Sequence, residues 1–261
     1  AREIENAKGA EQGTAKVRKN LASKNSPLHN VHKNAQVHRG WWAQQSVPWF
    51  DGGMRAYAAG RHIDLLSEMG DRKREFEGYV DLFLPTYAAM IEDRRFQMAG
   101  MFNEDDFDSI DKVRDSFYFK FTYQALPNND DIRVMEGIDP RDLDGIVKGA
   151  MATQRELTQG AMRNVAERLM AACEHMHTML EAKNRDSKTK LHDSVFENIL
   201  DLVNLMPQLN LTNDPALNEM AKRAKMLATV SPVILKEDEF VRGERSATAK
   251  QLAEQLKDMF K

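Results

Sequence analysis

The chain has 261 residues, of which 42% are apolar, 37 are Lys or Arg and 40 are Asp or Glu. This composition excludes a wholly disordered or collagen-like chain, and no apolar run approaches the roughly 18 residues that cross a bilayer. Cys173 is the single cysteine, which excludes an intrachain disulfide and a cysteine-built zinc site, and we expect a reducing, cytoplasmic location.

The first 40 residues form a basic N-terminal arm. It holds eight Lys or Arg against three Glu, hence a charge of +5, and it has few large apolar residues with which to bury surface. We predict short helices at 14–22 and 28–37. The alternatives for the arm are a solvated segment and one that folds against an acidic protein. Its cations are candidates for binding nucleic acid: Lys16, Arg18, Lys19, Lys24, Lys33 and Arg39.

All three Trp lie between residues 41 and 49, just before Asp51-Gly52-Gly53. The Asp-Gly-Gly sequence favours a tight turn. We predict a hinge or an aromatic plug that seals the end of a helical core, and a ligand-binding cage is the alternative.

Two long helices are predicted on either side of a β ribbon. Apolar residues recur at spacings of three and four over 61–101, but Pro85 should kink or break that helix near Phe83. A short helical turn follows at 109–114. The second long helix begins at Asp139-Pro140 and continues to about residue 180, before a polar loop at 183–190.

The segment Ser116–Gln124 is the clearest strand signal, and 132–134 is a second, shorter strand. The aromatic stripe of Ser116–Gln124 has three possible interpretations: packing on the chain's own helices, an oligomer contact, or stacking of single-stranded bases. The residues that share this face of the ribbon are Phe117, Phe119, Phe121 and Tyr123.

Shorter helices are predicted after the polar loop. One spans 191–206 and ends before Pro207, the next begins at Asn213-Asp214-Pro215, a short one begins at Ser231-Pro232, and the last spans 247–260. The predicted fold is therefore mainly α: an elongated antiparallel hairpin of long helices with a two-stranded β ribbon at its end, plus a C-terminal helical bundle. The corresponding segments are 1–40, 41–183 and 184–261.

No catalytic, cofactor or metal site is expected. Cys173 and His177 share a helix face, but His175 points about 200° around the helix from His177, and no third ligand is evident. The acidic residues at 103–111 lack the glycine and the closing Glu of a helix-loop-helix calcium site. No phosphate-binding loop or exposed nucleophile is recognised, so we expect a protein that is not an enzyme.

Several segments resemble an uncharacterised family of phage and mobile-element proteins, a domain of unknown function. The most specific are Val-Pro-Trp-Phe-Asp-Gly-Gly at 47–53 and Leu-Asn-Leu-Thr-Asn-Asp-Pro at 209–215, and the resemblance extends over nearly the whole chain. It also includes 25–28, 75–77, 102–103, 117–121 and 175–176. Genes of that family often lie near those of a MoxR-like ATPase and a von Willebrand-type domain protein, which implies an accessory role in a remodelling system.

The sequence leads to one main functional hypothesis and two alternatives. The first is a non-enzymatic phage or mobile-element accessory protein, in the cytoplasm of an infected bacterial host, that acts as a homo-oligomer and binds a protein partner such as a MoxR-like AAA ATPase. The second is a DNA-binding accessory factor in phage replication or recombination that uses the basic arm and the aromatic ribbon. The third is a structural component of the virion.

Overall fold

The structure is a computed structural model that describes residues 6–11, 13–14, 16, 18–23, 26–50, 53–124 and 140–259, with the side chains of the last range described from residue 145. The described chain is mainly helical. From residue 26 onward its α-helices are α1 (Pro27–Gln45), α2 (His62–Phe83), α3 (Tyr87–Met98), α4 (Ile110–Ser116), α5 (Pro140–Arg185), α6 (Ser194–Leu209), α7 (Pro215–Ala228), α8 (Pro232–Glu237) and α9 (Glu239–Asp258). A two-stranded antiparallel sheet pairs β1 (Val47–Phe50) with β2 (Met54–Ala56).

Contacts divide the chain into two units, and each unit is built from two separate stretches of sequence. The first unit comprises residues 1–39 and 67–122, and the second comprises 40–66 and 123–261. Two of the three divisions therefore fall inside α1 and α2, and the third falls after α4, between residues 122 and 123.

The core of the second unit is built around α5. From Ala161 to Leu180, the buried residues of α5 recur every three or four positions and pack against α6, α7, α9 and β1. This is the apolar stripe that the sequence predicts, although Ile146, nearer the start of the helix, is exposed. Because α5 and the C-terminal helices share one core, the predicted boundary between segments 41–183 and 184–261 does not separate two cores.

The β-hairpin covers part of this core. Val47 and Trp49 are buried, whereas Pro48 and Phe50 between and after them are exposed. The ladder shifts register between Pro48 and Phe50, which makes Trp49 the extra residue of a β-bulge. Of the predicted Asp51-Gly52-Gly53 turn, the first two residues lie outside the described residues. Gly53, just before β2, has a φ of 87°, a conformation that favours glycine.

The first unit has a smaller core on α1, α2 and α3. Its buried members are Val31, Phe76, Val80, Phe83 and Tyr87. The predicted break at Pro85 is confirmed, because α2 ends at Phe83 and a 3₁₀ turn at Leu84–Thr86 precedes α3. The Tyr87 hydroxyl donates to the carbonyl of Asp108 at 2.8 Å and so attaches the next segment to this core.

The two-stranded ribbon predicted at 116–134 is not found among the described residues. Ser116 is the last residue of α4, and residues 117–124 belong to no described helix or strand. Residues 132–134 lie outside the described residues. The sheet of the described chain is instead the hairpin at 47–56, and the predicted antiparallel pairing of the two long helices is not confirmed, since α5 packs within the second unit on α6, α7, α9 and β1.

Helix ends follow the predicted capping residues in part. Asp214 accepts from the backbone N–H groups of Ala216 and Leu217 at the start of α7, as its place before Pro215 predicts. The predicted end of α6 before Pro207 is wrong, because the buried Leu209 holds the last turn in the core. The last helix begins at Glu239 rather than at 247, and Asp238 caps it. The helix predicted at 14–22 is wrong for the residues described there, whereas 28–37 lies within α1.

Candidate functional site

The basic arm presents most of its candidate cations to solvent. Lys16, Arg18, Lys33 and Arg39 are exposed and form no ion pair with a carboxylate in the described ranges. Lys19 differs, because its Nζ lies 2.6 Å from a carboxylate oxygen of Asp106 in the same unit. The sixth cation, Lys24, lies outside the described residues. Four of the six predicted positions therefore carry a charge that is free of a described acidic partner.

The aromatic stripe is divided between core and surface. Phe117 and Phe119 are half-buried and pack on the core of the first unit, where the centroid of the Phe119 ring lies 6.0 Å from the ring centroids of Phe76 and His38. The alternate residue Tyr118 is exposed. Phe117 and Phe119 thus pack on the chain's own helices, as the first interpretation predicts, whereas Phe121 and Tyr123 of the same predicted face are 37% and 60% exposed.

Cys173, His175 and His177 do not come together as a metal site. Cys173 is fully buried, and burial raises the pKa of its thiol to about 12. His175 is exposed on another side of the helix. In the described part of the chain, no three His, Cys, Asp or Glu side chains are placed to hold a metal ion.

His177 instead belongs to a polar network between α5 and α9. The hydroxyl of the buried Ser246 donates to Glu181 at 2.7 Å, and His177 Nδ1 lies 2.8 Å from the same hydroxyl oxygen. Because the Ser246 hydroxyl donates its one proton to Glu181, its oxygen can only accept from His177 Nδ1. His177 therefore does not act as a base that removes the serine proton. The hydrogen bond from Ser246 lowers the pKa of Glu181. This Ser, His and Glu set therefore joins two helices and does not form a nucleophile.

A row of aromatic rings lies beside the β-hairpin. The rings of Trp42 and Tyr57 have centroids 5.7 Å apart, and Tyr57 stacks on His62, whose Nδ1 lies 2.8 Å from the Tyr57 hydroxyl. Tyr123 ends the row, 4.8 Å from the His62 ring and 60% exposed. Of the three Trp, only Trp49 is buried in the core as a plug would be; Trp41 and Trp42 keep part of their surface exposed.

Two arginines hold the end of α1 near this row. Arg55 Nη2 donates to the carbonyl of Ser46 at 2.8 Å, and Arg168 Nη1 donates to the same oxygen at 3.3 Å. Arg55 Nε also donates to the Ser46 hydroxyl at 2.7 Å. Neither arginine was predicted from the sequence, because most of their partners are backbone carbonyls, which leave no residue pattern. We call this cluster the hairpin site: Trp42, Arg55, Tyr57, His62, Tyr123 and Arg168.

Apolar residues are exposed where α8 meets α9. Val233, Ile234 and Phe240 are exposed, and Phe240 is 82% exposed. Leu235, in the same short helix, is fully buried and fixes α8 on the core of the second unit. Sequence analysis missed this cluster, which we call the junction patch; the apolar run at 233–235 was the signal that could have found it.

Comparison with known proteins adds no relative: no family model, no curated protein and no solved structure matches the chain. The resemblance to phage and mobile-element proteins therefore stays a prediction. Within the described ranges, no helix combines the length and the apolar character needed to span a membrane.

Proposed function

We propose that this protein is a non-enzymatic accessory protein that acts by self-association and by binding another protein. The observation that supports this function is the junction patch, with three large apolar side chains exposed within eight positions. Single exposed apolar residues are common, whereas a group of them marks a surface that another protein covers. The buried Leu235 holds α8, which carries Val233 and Ile234, on the core of the second unit, and Phe240 belongs to α9.

The resemblance supports the remaining parts of this proposal. It suggests the cytoplasm of an infected bacterial host as the location and a MoxR-like AAA ATPase as the protein partner. The many Met residues of the chain, 15 in all, suit contacts that repack on binding.

Changing both Ile234 and Phe240 to Ser should lower the molar mass of the protein measured by light scattering over a range of concentrations. The change removes apolar surface that would be buried between copies, and both side chains are exposed, so the fold should persist in circular dichroism. Phe96→Ser is the matched control, since Phe96 is 90% exposed on α3 in the other unit. A monomeric mass for the unmodified chain, or an equal loss of mass with Phe96→Ser, would contradict self-association through the junction patch.

A second candidate function is DNA binding through the basic arm. It is favoured by the four exposed cations Lys16, Arg18, Lys33 and Arg39, which have no carboxylate partner in the described chain. Charges that are not already paired can release counterions from DNA on binding.

For this candidate, a labelled DNA duplex should bind at low salt and dissociate as salt rises. Changing Lys16 and Arg18 to Ala should weaken binding equally for all sequences, with the slope of log affinity against log salt reduced by about 0.9 per lost contact. The control removes two cations that lie against carboxylates, Lys112 and Arg114 on α4. Equal weakening by both double variants would show general charge attraction and not an arm-specific contact.

A further inference from the structure

Among the described residues, Arg55 and Arg168 are bound by backbone and hydroxyl oxygens alone. Besides the shared Ser46 carbonyl, Arg55 donates to the carbonyl of Ala43 at 3.0 Å and Arg168 to that of Gln44 at 2.9 Å. These carbonyls end α1, and the C-terminus of a helix carries about half a negative charge. Two full positive charges are therefore neutralised only in part.

Neither arginine has an acidic partner among the residues that the structure describes. Within the described ranges, no carboxylate forms an ion pair with Arg55 or Arg168. Burial lowers the pKa of both guanidinium groups, and the proximity of Arg55 lowers the pKa of Arg168 further. A bound anion would relieve this repulsion, and its negative charge would be attracted by both groups.

Donors remain for such an anion. Arg55 Nη1 and Arg168 Nε donate to no described group, and neither nitrogen atom is fully buried. Each of these two N–H groups therefore keeps some access to solvent. The guanidinium planes are fixed by their bonds to the end of α1, so little side-chain freedom is lost when they bind a ligand.

The aromatic row begins where the arginines are bound. The Trp42 carbonyl accepts a hydrogen bond from the Ser46 hydroxyl at 2.5 Å, and that hydroxyl oxygen accepts from Arg55. From Trp42 the rings continue through Tyr57 and His62 to the exposed ring of Tyr123. The ring of this row that is exposed is Tyr123, in the same unit as the two arginines.

We propose that the hairpin site binds single-stranded nucleic acid, with a phosphate on the guanidinium groups of Arg55 and Arg168 and a base stacked on Tyr123. The remaining N–H group of each arginine can donate a charge-assisted hydrogen bond to a phosphate oxygen, and an aromatic face stacks any base. A duplex hides its base faces, and an acidic peptide offers the arginines a carboxylate but brings no flat partner for the rings. This activity goes beyond the proposed protein association, and it uses residues other than the basic arm.

The test uses fluorescence anisotropy of a labelled oligothymidylate with the full chain, together with the intrinsic fluorescence of the Trp residues near the site. Arg55→Gln and Arg168→Gln should each weaken binding and reduce the salt slope by about 0.7, because a single-strand phosphate contact is lost. Tyr123→Ala should weaken binding by roughly tenfold and should reduce the change in intrinsic Trp fluorescence that accompanies binding. The Gln variants keep an amide donor for the carbonyls of α1, and Tyr123 is exposed, so thermal melting should show intact folds.

Arg163→Gln is the matched control, because Arg163 is an exposed arginine on the same helix α5 as Arg168. It should leave the affinity unchanged. The proposal is overturned by the absence of binding at low salt, by equal weakening with Arg163→Gln, or by a DNA duplex or a polyglutamate peptide that competes as well as the unlabelled single strand. Loss of binding only on changing Lys16 and Arg18 would assign the activity to the arm and also overturn it.

Discussion

Replacing Leu169 by Ala is expected to lower the free energy of unfolding by about 2–5 kcal/mol. Leu169 is fully buried in the middle of α5, in the core that α5 shares with α6, α7, α9 and the hairpin. The substitution removes apolar contacts and leaves a cavity, because helices fixed on several sides relax only in part. Chemical denaturation followed by far-ultraviolet circular dichroism measures the change.

The same substitution at an exposed position is the control for Leu169. Leu82 is 70% exposed on α2, and Leu82→Ala should change the free energy of unfolding by no more than about 0.5 kcal/mol. If Leu169→Ala and Leu82→Ala had the same free energy of unfolding, α5 would not be the centre of the core of the second unit.

Arg242→Ala should also be strongly destabilising, by about 2–4 kcal/mol, because it leaves buried oxygens without donors. Arg242 is buried in α9, and its Nε donates to Asn184 Oδ1 of α5 at 2.5 Å. Its Nη1 donates to the carbonyls of Leu235 and Lys236, at 2.8 and 3.3 Å, which end α8. One guanidinium therefore joins three helices, and urea denaturation should report its loss.

A conservative variant and a surface control sharpen this test. Arg242→Lys keeps the charge but cannot reach all three oxygens, so its stability should lie between the original chain and Arg242→Ala. Arg74 forms an ion pair with Asp71 on the surface of α2, and Arg74→Ala should cost at most about 1 kcal/mol. An effect of Arg242→Ala as small as that of Arg74→Ala would contradict a structural role for the buried arginine.

Local sequence signals predicted much of the helical structure. The break at Pro85 follows from a missing backbone donor, and the start of α7 follows from Asp214 before a proline, so both depend only on neighbouring residues. The buried stripe of α5 follows from helical periodicity. These features need no knowledge of what lies elsewhere in the chain.

Features that depend on distant partners were not predictable in the same way. The alternation at 117–123 indicates one buried face, and Phe117 and Phe119 have it, but alternation does not show that a second strand is present. Equal lengths suggested that two long helices pair, although length does not specify which faces meet. The strands of the hairpin have four and three residues, and Pro48 within β1 weakens the strand signal.

The candidate sites show the same limit. The arm was recognised because its charges are close together in sequence. The hairpin site was not, because Arg55 and Arg168 are far apart along the chain and meet at carbonyls of α1. Only Trp42, in the Trp-rich segment, and Tyr123, in the aromatic stripe, were singled out beforehand.

The order of the segments that build the second unit has a consequence during synthesis on the ribosome. Residues 47–56 leave the exit tunnel long before α5 has been translated, yet α5 supplies the surface that Val47 and Trp49 cover. The nascent chain must therefore carry these two apolar side chains without their final neighbours while the whole 67–122 stretch is made. A ribosome-bound chaperone that shields short apolar segments would act during this interval, and a chain that begins after the hairpin would leave the matching face of α5 uncovered.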